Sequence, residues 1–250
     1  MTLLIVDGDP LLFRAAYNKR SAEEAYDTFE ERLDDLQNTV FCDETQIAVF
    51  GEKNFRIDFF SDYKNTPSRK KSKENNPFYF ELRQMLLDEG LVVPATGMEA
   101  DDLVRIWAEE ARAREQQFVV ASVDKDLQCI AGHHYLIHRD ELIHVTEDQG
   151  DKHYWTQILT GDSVDNIRGL RGIGPKKAER ILEGASNSRV RKQRVIDAYY
   201  EHHGAGWREE LLHTGTLIHI MRTRDDWFKL KNSDMPTLLK GMEDAVEIEV

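Results

Sequence analysis

Two short acidic stretches carry the side chains of this sequence that are best suited to chemistry. The first is Glu99-Ala100-Asp101-Asp102 and the second is Ser122-Val123-Asp124-Lys125-Asp126. Carboxylates that lie close together without cationic partners repel one another and raise one another's pKa, and a divalent cation relieves that repulsion. Hard cations such as Mg²⁺ prefer oxygen ligands. A simpler interpretation is that each stretch only caps a helix, since acids are common in first helical turns.

The elements around the two stretches place them at one edge of a sheet. An apolar stripe of period 3.6 starts at Ala100 and predicts a helix, so the first stretch lies at a helix N-terminus. The apolar run 118–121 predicts a buried parallel strand that ends just before Asp124. Ligands of open α/β sheets bind at the carboxyl ends of the strands. Both stretches therefore belong at the ligand-binding edge.

Two further apolar strands end near polar residues. Residues 3–6 lead into Asp7-Gly8-Asp9-Pro10, and residues 45–50 lead into Gly51-Glu52. Residues 54–60 predict another strand. The other predicted strands are 91–94, 135–138 and 142–145, and the predicted helices are 10–16, 21–41, 78–89, 152–160, 175–182, 190–200 and 207–223. The pattern predicts an α/β fold with a mostly parallel sheet, followed by a helical region.

Basic residues are clustered although the net charge is −13. Residues 61–77 are polar, have no apolar periodicity and include five basic side chains, namely Lys64, Arg69, Lys70, Lys71 and Lys73. Such a composition predicts a solvated, mobile loop. It would also suit a cationic arm over a site that takes an anionic polymer.

Glycines at 172 and 174 indicate a tight hairpin before a helix that begins at Pro175. Backbone N–H groups at such a helix N-terminus bind phosphate, and Lys176 and Lys177 add positive charge. The simpler interpretation is an ordinary glycine-rich connection between helices. The glycine spacing does not match a dinucleotide-binding fingerprint, and the sequence has no Walker A loop.

Composition restricts the class of protein. The 250 residues suit one α/β domain with an extension or two small domains, and no apolar run approaches the roughly 20 residues of a membrane span. Two cysteines cannot form a disulfide framework or a zinc site, and the N-terminus has no basic signal-peptide region. These features predict a reduced, intracellular (cytoplasmic) protein.

The ordered set of motifs resembles the structure-specific 5′ nucleases, which include flap endonucleases, bacteriophage 5′–3′ exonucleases and the 5′-nuclease domain of bacterial DNA polymerase I. The resemblance rests on Asp7 after a strand, Val49-Phe50-Gly51-Glu52, Asp62-Tyr63-Lys64, the two acidic stretches, Gly161-Asp162-Ser163-Val164-Asp165-Asn166-Ile167-Arg168-Gly169 and Gly172-Ile173-Gly174-Pro175-Lys176-Lys177-Ala178. The last motif resembles that family's helix–three-turn–helix. The resemblance covers residues 3–185. It implies a PIN-like nuclease core over 1–160 and a DNA-binding and helical region over 161–250.

The same resemblance implies the site residues and cofactors. Two Mg²⁺ ions, which Mn²⁺ could replace, would be held by Asp7, Glu99, Asp101, Asp102, Asp124, Asp126, Asp162 and Asp165. Lys64 and Arg69 would reach the scissile phosphate, and Arg168, Gly172, Gly174, Lys176 and Lys177 would grip duplex DNA, with a K⁺ ion at the hairpin. The implied activity is 5′–3′ exonuclease and flap endonuclease cleavage in replication or repair. Its substrates would be DNA with 5′ ends, flaps or nicks and RNA–DNA hybrids, and the protein would act as a monomer.

Two features depart from the family pattern. The family has an aspartate where this chain has Gly51, and Glu52 follows one position late. The basic arm is shorter than the arch of larger members, and the C-terminus carries no aromatic sliding-clamp peptide.

Two rival interpretations remain open from the sequence. A PIN-type ribonuclease shares a carboxylate cluster on a parallel sheet, but it lacks the hairpin and the basic arm. A catalytically silent DNA-binding replication accessory would keep the fold. Without catalysis, however, loss of the carboxylates would remove their mutual repulsion, and this chain retains them.

Overall fold

A computed structural model of the chain describes residues 1–66 and 76–239. The chain forms two compact units. The first contains residues 1–147 and 220–226, and the second contains residues 148–219 and the described part of the chain from 227 onward. Arg69 and most of the basic arm lie outside the described residues.

The first unit is built on a six-stranded sheet in the order β3-β2-β1-β4-β5-β6. The strands are β1 (Thr2–Asp7), β2 (Glu44–Asn54), β3 (Val93–Gly97), β4 (Gln117–Ser122), β5 (Gly132–Leu136) and β6 (Glu141–Val145). Neighbouring strands are parallel except β5 and β6, which form an antiparallel pair at the edge. The predicted α/β fold with a mostly parallel sheet is confirmed.

Strand β1 occupies the middle of this sheet because its side chains are apolar on both faces. Leu4, Ile5 and Val6 are fully buried, and the strand pairs with β2 on one side and β4 on the other. A parallel strand covered on both faces requires such a continuous apolar run. Its carboxyl end, at Asp7, therefore lies between the ends of two neighbouring strands.

Helices cover this sheet: α1 (Gly8–Ala16), α2 (Ala22–Val40), α3 (Phe55–Phe59), α4 (Tyr79–Asp88) and α5 (Ala100–Ala113). Helix α2 begins where the predicted cap places it, since the hydroxyl of Ser21 accepts from the Glu24 amide at 3.2 Å. At its other end Phe41 adopts a left-handed conformation with φ of 52°. Helix α5 begins with a capping box between Glu99 and Asp102.

The prediction of a strand over 54–60 is wrong, because residues 55–59 form helix α3. The side chain of Asn54 accepts from the Arg56 amide at 3.0 Å and caps this helix. The Arg56 side chain is then buried against Asp102. The local cap and the buried ion pair determine the structure of this segment.

The second unit is mainly helical. It contains α6 (Glu147–Thr160), the short antiparallel strands β7 (Gly161–Asp162) and β8 (Ile167–Arg168), α7 (Pro175–Leu182), α8 (Ser188–His203) and α9 (Trp207–Ile218). Helix α7 has the predicted bounds, with Pro175 in its first turn. Within the described residues, no helix combines the length and apolar character needed to cross a membrane.

Helix α6 begins five residues earlier than predicted. Asp151, which directly precedes the predicted start, lies inside the helix, where its carboxylate accepts from the Trp155 indole at 3.2 Å and from Arg191 at 2.7 Å. The hydroxyl of Tyr199 also donates to the Ile158 carbonyl at 2.8 Å. These contacts tie α6 to α8, so the structure divides the chain after 147, whereas the sequence predicted a division after 160.

Candidate active site

A cavity of about 710 Å³ opens in the first unit where β1, β2 and β4 end. Five carboxylates line it: Asp7, Asp9, Glu99, Asp101 and Asp124. Four of them are predicted site residues, and the structure brings these four together from two strand ends and a helix N-terminus. Two lysines, Lys53 and Lys64, line the same cavity.

Asp7 is the most buried of these acids, with 4% of its surface exposed. Its Oδ2 accepts a hydrogen bond from the Ser122 hydroxyl at 2.8 Å. Burial, together with the charges of Asp9 and Asp124, raises the pKa of Asp7 to about 7 against the lowering effect of the Ser122 hydrogen bond. The ionised form of Asp7 is therefore unfavourable without a cation.

Asp101 and Asp124 face Asp7 from two other elements. Asp101 lies in the first turn of α5, and burial together with the charges of Asp7 and Asp124 raises its pKa well above the usual range. Asp124 follows β4, and its backbone N–H donates to the Ser122 hydroxyl at 2.8 Å. Ser122 thus fixes both Asp7 and Asp124 at one edge of the sheet.

The pKa of Glu99 is lowered rather than raised, because cationic side chains lie beside it. Its Oε1 accepts from Lys64 Nζ at 2.6 Å and from Asn54 Nδ2 at 3.0 Å, and its Oε2 accepts from the Tyr63 hydroxyl at 2.7 Å. Burial would raise the pKa of Glu99, but Lys64 and Arg56 together lower it to about 2. Glu99 therefore carries its charge throughout the physiological pH range.

Asp102, predicted as a metal ligand, does not line the cavity. Its two oxygens accept from both terminal nitrogens of Arg56, at 2.6 and 2.8 Å. The Met221 amide donates to it at 2.9 Å, and the Glu99 amide donates at 3.0 Å. Both side chains of this ion pair are almost completely buried. Four protein donors occupy the Asp102 carboxylate, so it supports the start of α5.

Asp126 also lies outside the cavity lining. Its backbone N–H donates to Asp124 Oδ1 at 2.8 Å, so the residue orients Asp124 through its main chain. Lys125 lies 3.9 Å from the Asp126 carboxylate.

The oxygen-rich donor set fits a divalent metal. Burial and neighbouring carboxylates disfavour the ionised forms of Asp7 and Asp101, and that is the situation a divalent cation relieves. Among residues 1–66 and 76–239, no group of three or more His, Cys, Asp or Glu side chains is placed so that all could hold one metal ion directly. Mg²⁺ keeps several water ligands and binds through one or two carboxylates, so it does not require an all-protein cage.

Sequence reasoning did not assign Asp9 and Asn54 to the site. Asp9 accepts from the Tyr79 hydroxyl at 2.7 Å and from the Phe50 amide at 2.9 Å, and burial raises its pKa. The signal for Asp9 was its place two residues after the strand end at Asp7. Asn54 had no such signal, because it enters the cavity only through the extension of β2.

The structure explains why this chain has Gly51 where the family has an aspartate. Strand β2 continues to Asn54, with a register shift against β3 between Phe50 and Asn54. A Cβ at position 51 would lie 2.3 Å from the Ala95 carbonyl oxygen, so this backbone excludes the family's aspartate. Glu52 is exposed and does not line the cavity. Asn54 is the residue from this strand that contacts Glu99.

The ends of the basic arm are more ordered than predicted. Tyr63, at 4% exposure, and Asn76, at 2%, are buried, although the composition predicted an unstructured loop over 61–77. Tyr63 is held by Glu99, and the Asn76 amide donates to the Phe13 carbonyl at 2.7 Å. The prediction is therefore wrong at these two positions, and residues 67–75 lie outside the described part of the chain.

Asp162 and Asp165 lie in the second unit. Asp162 ends β7, is buried, and accepts from the Val164 amide at 2.7 Å and from the Asp165 amide at 3.3 Å. The turn between β7 and β8 is therefore closed around the Asp162 side chain. Their participation in the same metal site remains a prediction.

The predicted phosphate-binding hairpin is formed in the second unit. Gly172 has φ of +77°, a conformation that favours glycine, and Gly174 is the N-cap of α7. Lys176 and Lys177 follow in the first turn, and both are exposed. The Leu170 amide donates to the Leu159 carbonyl at 2.9 Å, which fixes the base of the hairpin.

The opposite side of the hairpin is also held by protein contacts. The Thr214 hydroxyl donates to the Arg168 carbonyl at 3.1 Å, and His202 Nε2 lies 3.1 Å from the Arg171 carbonyl. The Arg168 side chain is exposed. The second unit thus presents a fixed, positively charged turn with glycines at its tip.

Comparison with known proteins identifies a family and several similar proteins. Residues 2–157 match the family described as 5′-3′ exonuclease, N-terminal resolvase-like domain. The chain is 31% identical over 207 residues to DNA polymerase I of Rhizobium leguminosarum, and the match covers 72% of this chain and 20% of that protein. It is 26% identical over 207 residues to the 5′-3′ exonuclease of Buchnera aphidicola, and this match covers 74% of this chain and 71% of that protein. The chain thus spans about a fifth of the length of the polymerase that it matches.

A solved structure shows the same fold over nearly the whole chain. The D15 flap endonuclease of bacteriophage T5, solved as a complex with DNA and metal ions, has a TM-score of 0.69 and 21% identity. The match covers 99% of this chain and 99% of the endonuclease chain. At this level of identity the likeness establishes the fold.

Proposed function

The chain belongs to the 5′-3′ exonuclease family, and we propose that it hydrolyses phosphodiester bonds of DNA near 5′ ends, both as an exonuclease and as a flap endonuclease. The observation that carries this proposal is the group of three acids at the ends of β1, β4 and the start of α5. Asp7 and Asp101 have raised pKa values because they are buried beside each other and Asp124. Such a group of carboxylates destabilises the folded state unless a bound cation neutralises their charges.

Two Mg²⁺ ions, replaceable by Mn²⁺, would be held by Asp7, Asp101 and Asp124. Divalent ions in such a site supply Lewis-acid chemistry for phosphate hydrolysis. Ser122 orients two of the carboxylates, and the Asp126 amide donates a further hydrogen bond to Asp124. Lys64, and Arg69 outside the described residues, would bind the scissile phosphate and stabilise its developing charge.

The second unit would hold the duplex on which the 5′ end lies. Backbone N–H groups at Gly172 and Gly174 and the exposed side chains of Lys176, Lys177 and Arg168 suit contacts to phosphates. Contacts to phosphates carry no base readout, so recognition would depend on the structure of the DNA. A K⁺ ion at this hairpin remains a prediction. Removal of 5′ flaps or RNA primers in replication is the role we assign to this activity.

A cleavage assay tests this function directly. The protein is incubated with end-labelled 5′-flap, nicked and single-stranded DNA, with an RNA–DNA hybrid of matched sequence, and with Mg²⁺, Mn²⁺ or EDTA. We expect cleavage near the 5′ end of the flap and nicked substrates that EDTA abolishes. Binding without cleavage under every metal condition would identify a silent accessory, and cleavage of RNA alone would identify a ribonuclease.

The raised pKa of Asp7 predicts how the metal-free protein responds to pH. Its pKa is about 7 in the folded state and about 4 in the unfolded chain, so the folded state binds more protons between these values. Stability in EDTA should therefore fall as pH rises from 4 to 7, and Mg²⁺ should restore it at pH 7.5. Glu99 acts in the opposite direction, but only below pH 4.5, because its pKa is lowered from 4.5. Thermal unfolding from pH 4.5 to 8 measures this, and a stability in EDTA that rises across the window contradicts it.

The hairpin predicts a specific salt dependence of duplex binding. Replacing Lys176 and Lys177 by alanine should reduce the slope of log affinity against log salt by about 0.9 for each phosphate that the variant no longer neutralises. All duplex sequences should be weakened alike. Fluorescence anisotropy between 50 and 300 mM KCl provides the measurement, and Lys229→Ala, which also removes an exposed lysine from this unit, is the control. An unchanged slope, or a weakening confined to certain sequences, would refute phosphate binding at this hairpin.

A further inference from the structure

Lys64 is held inside the cavity by contacts that have no counterpart at Lys53. Its Nζ lies 2.6 Å from Glu99 Oε1, and 22% of its side chain is exposed. Lys53 lines the same cavity but is an exposed residue. Lys64 also lies close enough to Asp7, Asp9 and Asp101 to act on their charges. One ammonium group therefore serves as counter-ion to most of the acids in the cavity.

Glu99 is already well supplied with donors when Lys64 is present. Asn54 donates a hydrogen bond to Oε1 and Tyr63 donates one to Oε2. Arg56 lies 3.5 Å from Oε2. A carboxylate has about four lone-pair positions, so little room is left for another ligand. A divalent cation at Glu99 would also meet the positive charge of Lys64 at short range, where like charges repel strongly.

We propose that the Lys64 ammonium and a divalent cation compete for Glu99, so that metal binding releases Lys64 from Glu99 and makes it available to the substrate phosphate. This inference rests on the proposed function, because it assigns an order to events in the same site. In the metal-free protein Glu99 holds Lys64, and after the exchange Glu99 is a ligand of the cation. The lysine is kept away from phosphate until the cavity holds its metal.

The neighbouring residues allow this exchange without unfolding the segment. Tyr63 is buried at 4% exposure, and its hydroxyl is bound to Oε2, the oxygen that Lys64 does not use. The Tyr63 amide also donates to the Phe60 carbonyl at 2.9 Å. Tyr63 and Asn54 therefore hold the backbone and the carboxylate while the flexible Lys64 side chain leaves.

Amine labelling of the full chain tests the release directly. Lysines are modified briefly with an acylating reagent, with EDTA or with saturating Ca²⁺, and the modification of each residue is quantified by mass spectrometry. We expect Ca²⁺ to increase labelling of Lys64 by about tenfold or more, the factor that corresponds to removing one charge-assisted hydrogen bond. Lys125, whose side chain is 68% exposed, provides the control and should not change. In Glu99→Gln, labelling of Lys64 should be high with and without Ca²⁺.

Metal affinity provides a second measurement that does not depend on activity. Isothermal titration with Ca²⁺ compares Lys64→Met with Lys53→Met, since each removes one positive charge from the cavity. Competition predicts that Lys64→Met tightens Ca²⁺ binding clearly more than Lys53→Met does. Equal effects of the two variants would mean that only the general field of the cavity matters, and would overturn the proposal.

The outcomes separate this inference from the proposed function. If Ca²⁺ and Mn²⁺ bind but labelling of Lys64 is unchanged or reduced, the competition is refuted and the nuclease function stands. If neither metal binds to the wild-type protein at millimolar concentration, both fail together.

Discussion

Replacing Asp124 by asparagine is expected to lower Mg²⁺-dependent cleavage by about a thousandfold or more, while duplex binding is retained. The substitution keeps the size of the side chain but removes one of the three charges that we assign to metal binding. Turnover is measured on a 5′-flap substrate, and affinity is measured separately with Ca²⁺ in place of Mg²⁺. Substantial residual cleavage by Asp124→Asn would refute our assignment of Asp124.

The same substitution should stabilise the metal-free protein. Asp124 raises the pKa of both Asp7 and Asp101, so its charge destabilises the folded state in EDTA. We expect the melting temperature of Asp124→Asn in EDTA at pH 7.5 to be higher than that of the wild type. Glu52→Gln is the matched control, because Glu52 is an exposed acid outside the cavity and its substitution should change neither activity nor melting temperature.

Replacing Asp102 by asparagine is expected to have the opposite effect on stability, with a loss of about 3–5 kcal/mol. The substitution leaves the buried Arg56 guanidinium without a charged partner at this position. It also replaces one of the two Asp102 oxygens, which accept from the Met221 and Glu99 amides, by an amide donor. The free energy of unfolding is measured by urea titration in EDTA at pH 7.5.

A double variant separates the ion pair from other effects of the substitution. Combining Asp102→Asn with Arg56→Met removes both charges, so it should recover part of the lost stability. If Asp102 were a metal ligand that repels its neighbours, Asp102→Asn would be as stable as the wild type in EDTA or more stable. That result would restore the role that the sequence implied.

The placement of the acids could be predicted because it depends on local patterns. Continuous apolar runs identify buried parallel strands, and the residues after such runs must lie at the carboxyl edge of the sheet. Asp7 and Asp124 follow two of these runs, and the structure brings them together in one cavity. Helix α7 was predicted equally well, since a proline in the first turn is a local signal.

The other features of the site depend on contacts between distant residues. Arg56 is buried because Asp102, 46 positions later, accepts both of its terminal nitrogens, and neither residue alone indicates that pairing. Asn54 contacts Glu99 because β2 shifts its register against β3 after Phe50. A register shift is set by the partner strand, so the sequence of β2 could not predict which residue enters the cavity.

The route of the chain has a consequence for the order in which the protein folds during synthesis. The first unit is completed by residues 220–226, and one of them, Met221, supplies an amide to the buried Asp102. At about 5–20 residues per second, a ribosome needs roughly 4–15 s to extend the chain from 147 to 220. During that interval the Met221 amide has not yet been made, so Asp102 lacks this donor. The first unit is therefore completed only after the helices from α6 to α9 have been made.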